Sequence, residues 1–126
     1  MTDNNSLHFV YIVNEDGMSR AFVELKQKLA QQHHATLIYL SSNDSFVFNR
    51  ELEILEKRFP AQFVMYQLKE MLPDCSASVQ ELLEAVINSN TRDNLIFILS
   101  QNEELIHTVS NRLWFLGISK TQIQIL

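Results

Sequence analysis

The stretch F-V-Y-I-V-N-E-D-G-M-S-R-A-F-V-E-L, residues 9–25, decides the fold, because an unbroken apolar run gives way there to helical spacing. The first five residues are apolar without alternation, which is typical of a strand covered on both faces in a parallel sheet. From Met18 onward the apolar residues recur three and four positions apart, which predicts an amphipathic helix. The stretch therefore predicts a strand, a short turn and a helix.

The same alternation recurs along the rest of the chain. The predicted strands are F-V-Y-I-V from residue 9, A-T-L-I-Y-L from 35, F-V-M-Y-Q-L from 63, L-I-F-I-L from 95 and I-Q-I-L from 123. Four amphipathic patterns separate them, so the order βαβαβαβαβ predicts right-handed crossovers and a parallel sheet with helices on both faces. The length of 126 residues fits one α/β domain over residues 1–126, with three αβα layers.

Three helix ends carry recognisable signals. Ser78 with Glu81, and Ser100 with Glu103, match the pattern S-x-x-E, in which the serine caps a backbone N–H and the glutamate reaches back. Gly117 follows the last apolar position of the fourth helical pattern, where a left-handed cap is expected. These signals predict the starts of the third and fourth helices and the end of the fourth.

Charge and cysteine content exclude several classes of function. Ten basic residues against fifteen acidic ones give a net charge of −5, and no basic cluster occurs, so neither nucleic acid nor an anionic membrane is an expected partner. The single cysteine, Cys75, lies in a predicted loop and is expected to be an unreactive thiol. The polar start of the sequence and the absence of a long apolar run predict a cytoplasmic protein.

No metal site is expected. His33 and His34 are adjacent and would point to opposite faces of an extended segment, which is poor geometry for one metal ion. The acidic turn at Glu15 and Asp16 resembles the Mg²⁺-binding turn of receiver domains. That alternative requires an aspartate at the end of the third strand and a lysine after the fourth, where the sequence has L-K and S-Q.

Three segments resemble the C-terminal, pyridine-nucleotide-binding domain of the ferredoxin reductase family. They are Y-L-S-S-N-D-S-F-V-F-N-R-E-L-E-I-L-E-K-R-F-P at 39–60, S-V-Q-E-L-L at 78–83 and the tail from Leu95 onward, which ends in L-G-I-S-K-T-Q-I-Q-I at 116–125. The resemblance implies a Rossmann-like sheet of order 3-2-1-4-5 and a separate flavin-bearing partner. It also implies NAD(P)H as the cofactor and no catalytic residue, with candidate cofactor-binding positions at Gly17, Met18, Ser19, Ser41, Ser42, Ser100 and Gln101.

The cofactor motifs of this family are altered in the sequence. The family's first turn reads roughly G-G-x-G-I-T-P, whereas Asn14 and Glu15 stand at its two leading glycine positions. The family's C-G-P-P after the fourth strand reads L-S-Q-N, and its arginine near the adenosine aligns near Ser42. No aromatic residue stands at Leu126, and the R-x-Y-[ST] signature of the flavin barrel is missing. No flavin is therefore expected in this chain.

Polar residues at these turns also have structural roles to consider. Asp16 is the expected cap of the first helix, and Ser41 and Ser42 are expected to cap the second helix together with the N-D that follows. Trp114, next to Phe115, would pack at an edge or, if exposed, mark a partner surface.

The sequence leads to two hypotheses about function. The first is a degenerate ferredoxin-reductase-type domain that is not catalytic alone and acts as a binding or interaction module. The alternative is a functional NAD(P)H-binding component of a flavin-dependent oxidoreductase that works with a separate flavin domain. The fold does not choose between them, since function depends on the site.

Overall fold

The computed structural model describes residues 7–41, 46–69 and 77–126, with only the backbone at 77 and 78. Five strands alternate with four helices, as the sequence predicts. The strands are β1 His8–Val13, β2 His34–Ser41, β3 Phe63–Lys69, β4 Leu95–Leu99 and β5 Ile123–Ile125. The helices are α1 Met18–Ala30, α2 Asn49–Arg58, α3 Ala77–Asn88 and α4 Glu103–Phe115, and short 3₁₀ turns lie at Glu15–Gly17, Arg92–Asn94 and Lys120–Gln122.

The strands form one sheet in the order β3-β2-β1-β4-β5. All four neighbouring pairs are parallel, with β1 at the centre between β2 and β4. This confirms the Rossmann-like order that the family resemblance implies. In such a sheet the strands are added to one side of β1 first and to its other side afterwards. The carboxyl ends of β1 and its neighbours border the usual ligand crevice at this point.

The two faces of β1 enter two separate cores. Val10 and Ile12 point towards the cluster formed with α3 and α4, whereas Phe9, Tyr11 and Val13 point towards the cluster formed with α1 and α2. The side chains of successive residues thus alternate between faces that are both apolar. This explains why the strand reads as an unbroken apolar run and why the fold has three layers.

Two helices end in the same left-handed motif. After α4, Gly117 has a φ of 90°, and the N–H of Ile118 donates to Leu113 O at 2.9 Å, which confirms the predicted cap. After α1, Gln32 takes the equivalent position with a φ of 69°, and the N–H of His33 donates to Lys28 O at 3.1 Å. The α1 end therefore holds a non-glycine residue in a conformation that favours glycine.

Some predictions fall outside the described residues. They concern Cys75 and its loop, Ser42 with the neighbouring positions 43 and 44, and the cap by Ser78, whose side chain is not described. Among the described helices, none combines the length and apolar character needed to cross a membrane.

Candidate functional site

Polar groups from the turns after β1 and β4 and from the last residue of β2 meet at the carboxyl edge of the sheet. Five residues form what we call the carboxyl-edge network: Asn14, Glu15, Gly17, Ser41 and Ser100. Its members are joined by hydrogen bonds across 26 and 86 positions of sequence. The fold brings these polar groups together, and their contacts determine what the edge can bind.

Asn14 closes the first turn onto itself. Its side-chain Oδ1 accepts from Gly17 N at 3.2 Å, and its backbone oxygen accepts from the same N–H at 3.1 Å. The next amide, that of Met18, donates to Glu15 O. The expectation that Asp16 caps this helix is wrong: Asn14 supplies the cap of the 3₁₀ turn, and Asp16 is exposed. Two amides that could face a phosphate are thus bonded within the turn.

Ser100 joins the first turn to the turn after β4 by hydrogen bonds. Its Oγ accepts from Asn14 N at 2.9 Å, its N–H donates to Ile12 O at 3.1 Å, and the residue is buried. A Cβ added at Gly17 would overlap this Oγ and lie 3.1 Å from the serine Cβ. Glycine is required here because of this close approach to Ser100. Its backbone does not require glycine, since a φ of −93° is open to any residue.

The predicted capping role of Ser100 is also wrong. The N-cap of α4 is Asn102, whose Oδ1 accepts from Leu105 N at 2.9 Å. The serine is two positions too early and is held by the first turn instead. Tertiary contact therefore overrides the local S-x-x-E signal.

Glu15 extends from the first turn to the end of β2. The hydroxyl of Ser41, which is buried, donates to Glu15 Oε2 at 3.1 Å. Ser41 is not a cap of α2, because the N-cap residue of α2 is Phe48 and no side-chain bond caps it. The carboxylate that the sequence places at a glycine position of the family thus lies between two strand ends.

The Tyr39 hydroxyl is buried near the same carboxylate. Burial raises the pKa of Tyr39 and the Glu15 charge raises it further, while the backbone of Val47 opposes both effects. Among the described residues, no group accepts or donates with full hydrogen-bond geometry at this oxygen. The ring packs edge-on against Phe46, with centroids 5.1 Å apart. This corner of the edge is therefore a poor environment for added negative charge.

The remaining candidate positions do not converge on one crevice. The Met18 side chain is fully buried in the core, and Ser19 is exposed on α1, beside an outer cavity of about 360 Å³. Gln101 lines a cavity of about 200 Å³ together with Gly17 and Arg20. Asn14, Asp16 and Leu126 complete this cavity. Arg20 and Leu126 line this cavity although neither is among the candidate cofactor-binding positions taken from the sequence.

The residues that the structure describes at this edge do not fit a bound dinucleotide. A cavity of about 200 Å³ is smaller than the roughly 300–1,000 Å³ of typical small-molecule sites. The first-turn amides are used internally, and Glu15 and Asp16 place carboxylates beside them. A carboxylate about 5 Å from a phosphate charge opposes binding by roughly 3 kcal/mol at an effective dielectric of 20. Helix-terminal attraction of about 0.3–1 kcal/mol does not offset this.

The histidines have structural contacts. His33 Nδ1 accepts from Leu7 N at 3.1 Å, and His8 Nε2 lies 2.7 Å from Thr36 Oγ1. In the described part of the chain, no three His, Cys, Asp or Glu side chains are placed to hold a metal ion.

Comparison with known proteins bears on the fold. No family model matches the sequence, and a search of curated proteins gives no match. Ferredoxin-NADP+ reductase from Plasmodium falciparum superposes with a TM-score of 0.77 at 18% identity, covering 97% of this chain and 52% of that one. The fold is that of one half of a ferredoxin reductase. The family resemblance is thus confirmed at the level of fold.

Two other solved structures extend the likeness. Flavohemoglobin from Malassezia yamatoensis, solved with bound FAD and heme, gives a TM-score of 0.74 at 16% identity, covering 99% of this chain and 32% of that chain. The CS-b5R domains of human Ncb5or, in the NAD+ form, give a TM-score of 0.72 at 13% identity, covering 96% of this chain and 37% of that chain. The chain spans about half or less of each protein it matches. At these identities the likeness establishes the fold, and the site must be judged from its own residues.

Proposed function

We propose that the chain is a ferredoxin-reductase-type domain with a closed dinucleotide crevice, which acts as a binding or interaction module and transfers no hydride alone. The observation that carries this proposal is the carboxyl-edge network. Its side chains bond to one another and to the amides of the first turn at the place where related folds bind their ligand. A neighbouring flavin domain or another protein is the proposed kind of partner, and a separate flavin domain would have to supply any redox chemistry.

A second candidate function is that of an NAD(P)H-binding component of a flavin-dependent oxidoreductase. The observation that favours this second candidate is the cavity of about 200 Å³, because Arg20 and Gly17 both line its wall. An arginine beside a helix start suits a phosphate group. Opening of the first turn would have to precede binding of the whole dinucleotide.

Calorimetric titration with AMP, NADH and NADPH separates the two candidates. We expect no binding to the wild-type chain at millimolar nucleotide. The double variant Asn14→Gly/Glu15→Gly opens the turn and removes one carboxylate, so AMP affinity should rise about tenfold or more, which corresponds to ~1.4 kcal/mol or more. The control is Asp16→Asn, which removes one exposed charge and leaves the network intact. Micromolar NADH binding by the wild type would overturn the proposal.

A turnover assay tests the catalytic half of the proposal. With NADH or NADPH as donor and ferricyanide or dichlorophenolindophenol as acceptor, the isolated chain should match the buffer control, because hydride transfer requires an acceptor cofactor next to the nicotinamide. Turnover well above the buffer rate that disappears in Ser100→Ala would show that the edge is catalytic.

A further inference from the structure

The outer face of α4 carries two large exposed aromatic side chains. Trp114 is 46% exposed and Phe115 is 79% exposed. Two adjoining open hollows of about 660 and 520 Å³ lie on this face, are lined by α4 residues alone and both include His107 and Asn111. We call the residues Glu104, His107, Asn111, Trp114 and Phe115 the α4 outer face. Exposed aromatic side chains next to one another are typical of protein interaction surfaces.

Opposite charges stand at the two ends of this face. Glu103 and Glu104 occupy the first turn of α4, where they also suit the helix dipole. At the other end each aromatic ring carries a cation, since Arg112 lies 5.6 Å from the Phe115 ring centre and Lys120 lies 5.7 Å from that of Trp114. The face therefore has an acidic end and an aromatic-cationic end.

We propose that the α4 outer face is a homodimer interface in which two copies of α4 pack antiparallel about a twofold axis. A twofold interface uses the same patch on both partners, so the patch must complement itself when reversed. Reversal places the acidic end of one α4 against the aromatic-cationic end of the other. His107 and Asn111 then meet near the axis, and the two helix dipoles oppose each other.

The dimensions of the helix set the strength of this contact. Thirteen residues give a helix of about 20 Å. A contact confined to one such helix is smaller than the roughly 1,200 Å² that stable protein interfaces bury. We therefore expect a weak dimer whose population depends on concentration. No residue of the α4 outer face belongs to the carboxyl-edge network, so this proposal is independent of the proposed function.

Sedimentation equilibrium from micromolar to millimolar concentration tests the proposal through charge exchange. Glu103→Lys/Glu104→Lys makes both ends of the face positive, and Arg112→Glu/Lys120→Glu makes both ends negative. Each variant alone should dimerise at least about tenfold more weakly than the wild type, because like charges then meet at both contacts. A mixture of the two variants should form a heterodimer at least as tight as the wild-type dimer.

Two further variants keep the result specific to this face. Phe115→Ser should also weaken the dimer, whereas Glu51→Lys/Glu53→Lys makes the same charge change at exposed positions of α2 and should leave association unchanged. Far-ultraviolet circular dichroism confirms that each variant is folded. A wild type that stays monomeric at millimolar concentration, or variants that dimerise like the wild type, would overturn the proposal. Failure of the mixture to associate would equally reject the antiparallel arrangement.

Discussion

Long-range polar contacts hold both edges of the sheet, and at the carboxyl edge they occupy the place where a ligand would bind. At the carboxyl edge, turns far apart in sequence bond to one another, as Ser100 does to Asn14 and Ser41 to Glu15. At the amino edge, the contacts include the left-handed helix ends at Gln32 and Gly117 and the half-buried His8. The edge where this fold usually places a ligand is thus cross-linked by long-range contacts. Polar groups that would face a ligand in an open site face each other in this protein.

The largest effect is expected where the carboxyl edge is most crowded. Gly17→Ala should lower the free energy of unfolding by about 1–3 kcal/mol, because the new methyl group overlaps the buried Ser100 Oγ. Urea denaturation measures the change. In a Ser100→Ala background the overlapping oxygen is gone, so the same substitution should cost less. Equal costs in the two backgrounds would show that the two turns are not in contact.

A smaller effect is expected at the other cross-link of this edge. Ser41→Ala should lower the free energy of unfolding by about 1 kcal/mol, because the bond to Glu15 Oε2 is lost beside a buried strand end. Glu15→Gln keeps an acceptor oxygen and serves as the conservative control. Thermal and urea unfolding of Ser41→Ala, Glu15→Ala and the double variant give the coupling. Strictly additive losses of unfolding free energy would show that Ser41 and Glu15 do not interact. The edge would then have one cross-link fewer than described.

At the amino edge the expected effect depends on pH. Burial lowers the pKa of His8 below its ordinary 6.5, the His34 charge lowers it further, and a hydrogen bond with Asn90 opposes both. Between the lowered pKa and 6.5 the unfolded chain binds more protons, so stability falls as pH drops below about 6.5 and levels off beneath the folded pKa. His8→Gln should flatten this part of the curve of unfolding free energy against pH. A slope that survives in His8→Gln would assign the pH dependence to another group.

Sequence patterns were sufficient for the fold because its signals are local. Unbroken apolar runs and helical spacing mark the elements, and Gly117 marks the end of α4. The strand order came from the family resemblance, since periodicity alone does not state which strands are neighbours. Asn14 carries a usable local signal, because asparagine is a preferred cap and its partner Gly17 lies three residues on.

The site was harder to predict because its contacts are distant in sequence. Ser100 fitted a capping pattern, yet Asn102 caps α4, and the serine is held by Asn14 from 86 positions away. Glu15 meets Ser41 only after β1 and β2 align in the sheet. No residue spacing encodes such a pair, so the carboxyl-edge network emerges only from the assembled fold.

The smallest expected effect lies at the end of α1 and compares its cap with that of α4. A left-handed backbone costs a non-glycine residue about 1–2 kcal/mol. Glycine in turn costs about 0.5–1 kcal/mol through the freedom it has when unfolded. Gln32→Gly should therefore raise the free energy of unfolding by about 0.5 kcal/mol, measured by urea denaturation.

Two matched variants decide whether the backbone causes this gain. Gln31→Gly, one position earlier at a φ of −87°, should destabilise, because no left-handed strain is relieved there. Gly117→Ala should also destabilise, since it adds that strain at a φ of 90° and brings a Cβ to 2.6 Å from Arg92 Nη1. If Gln32→Gly instead lowered stability, side-chain contacts of Gln32 would outweigh its backbone strain. The amino edge would then depend on specific contacts, as the carboxyl edge does.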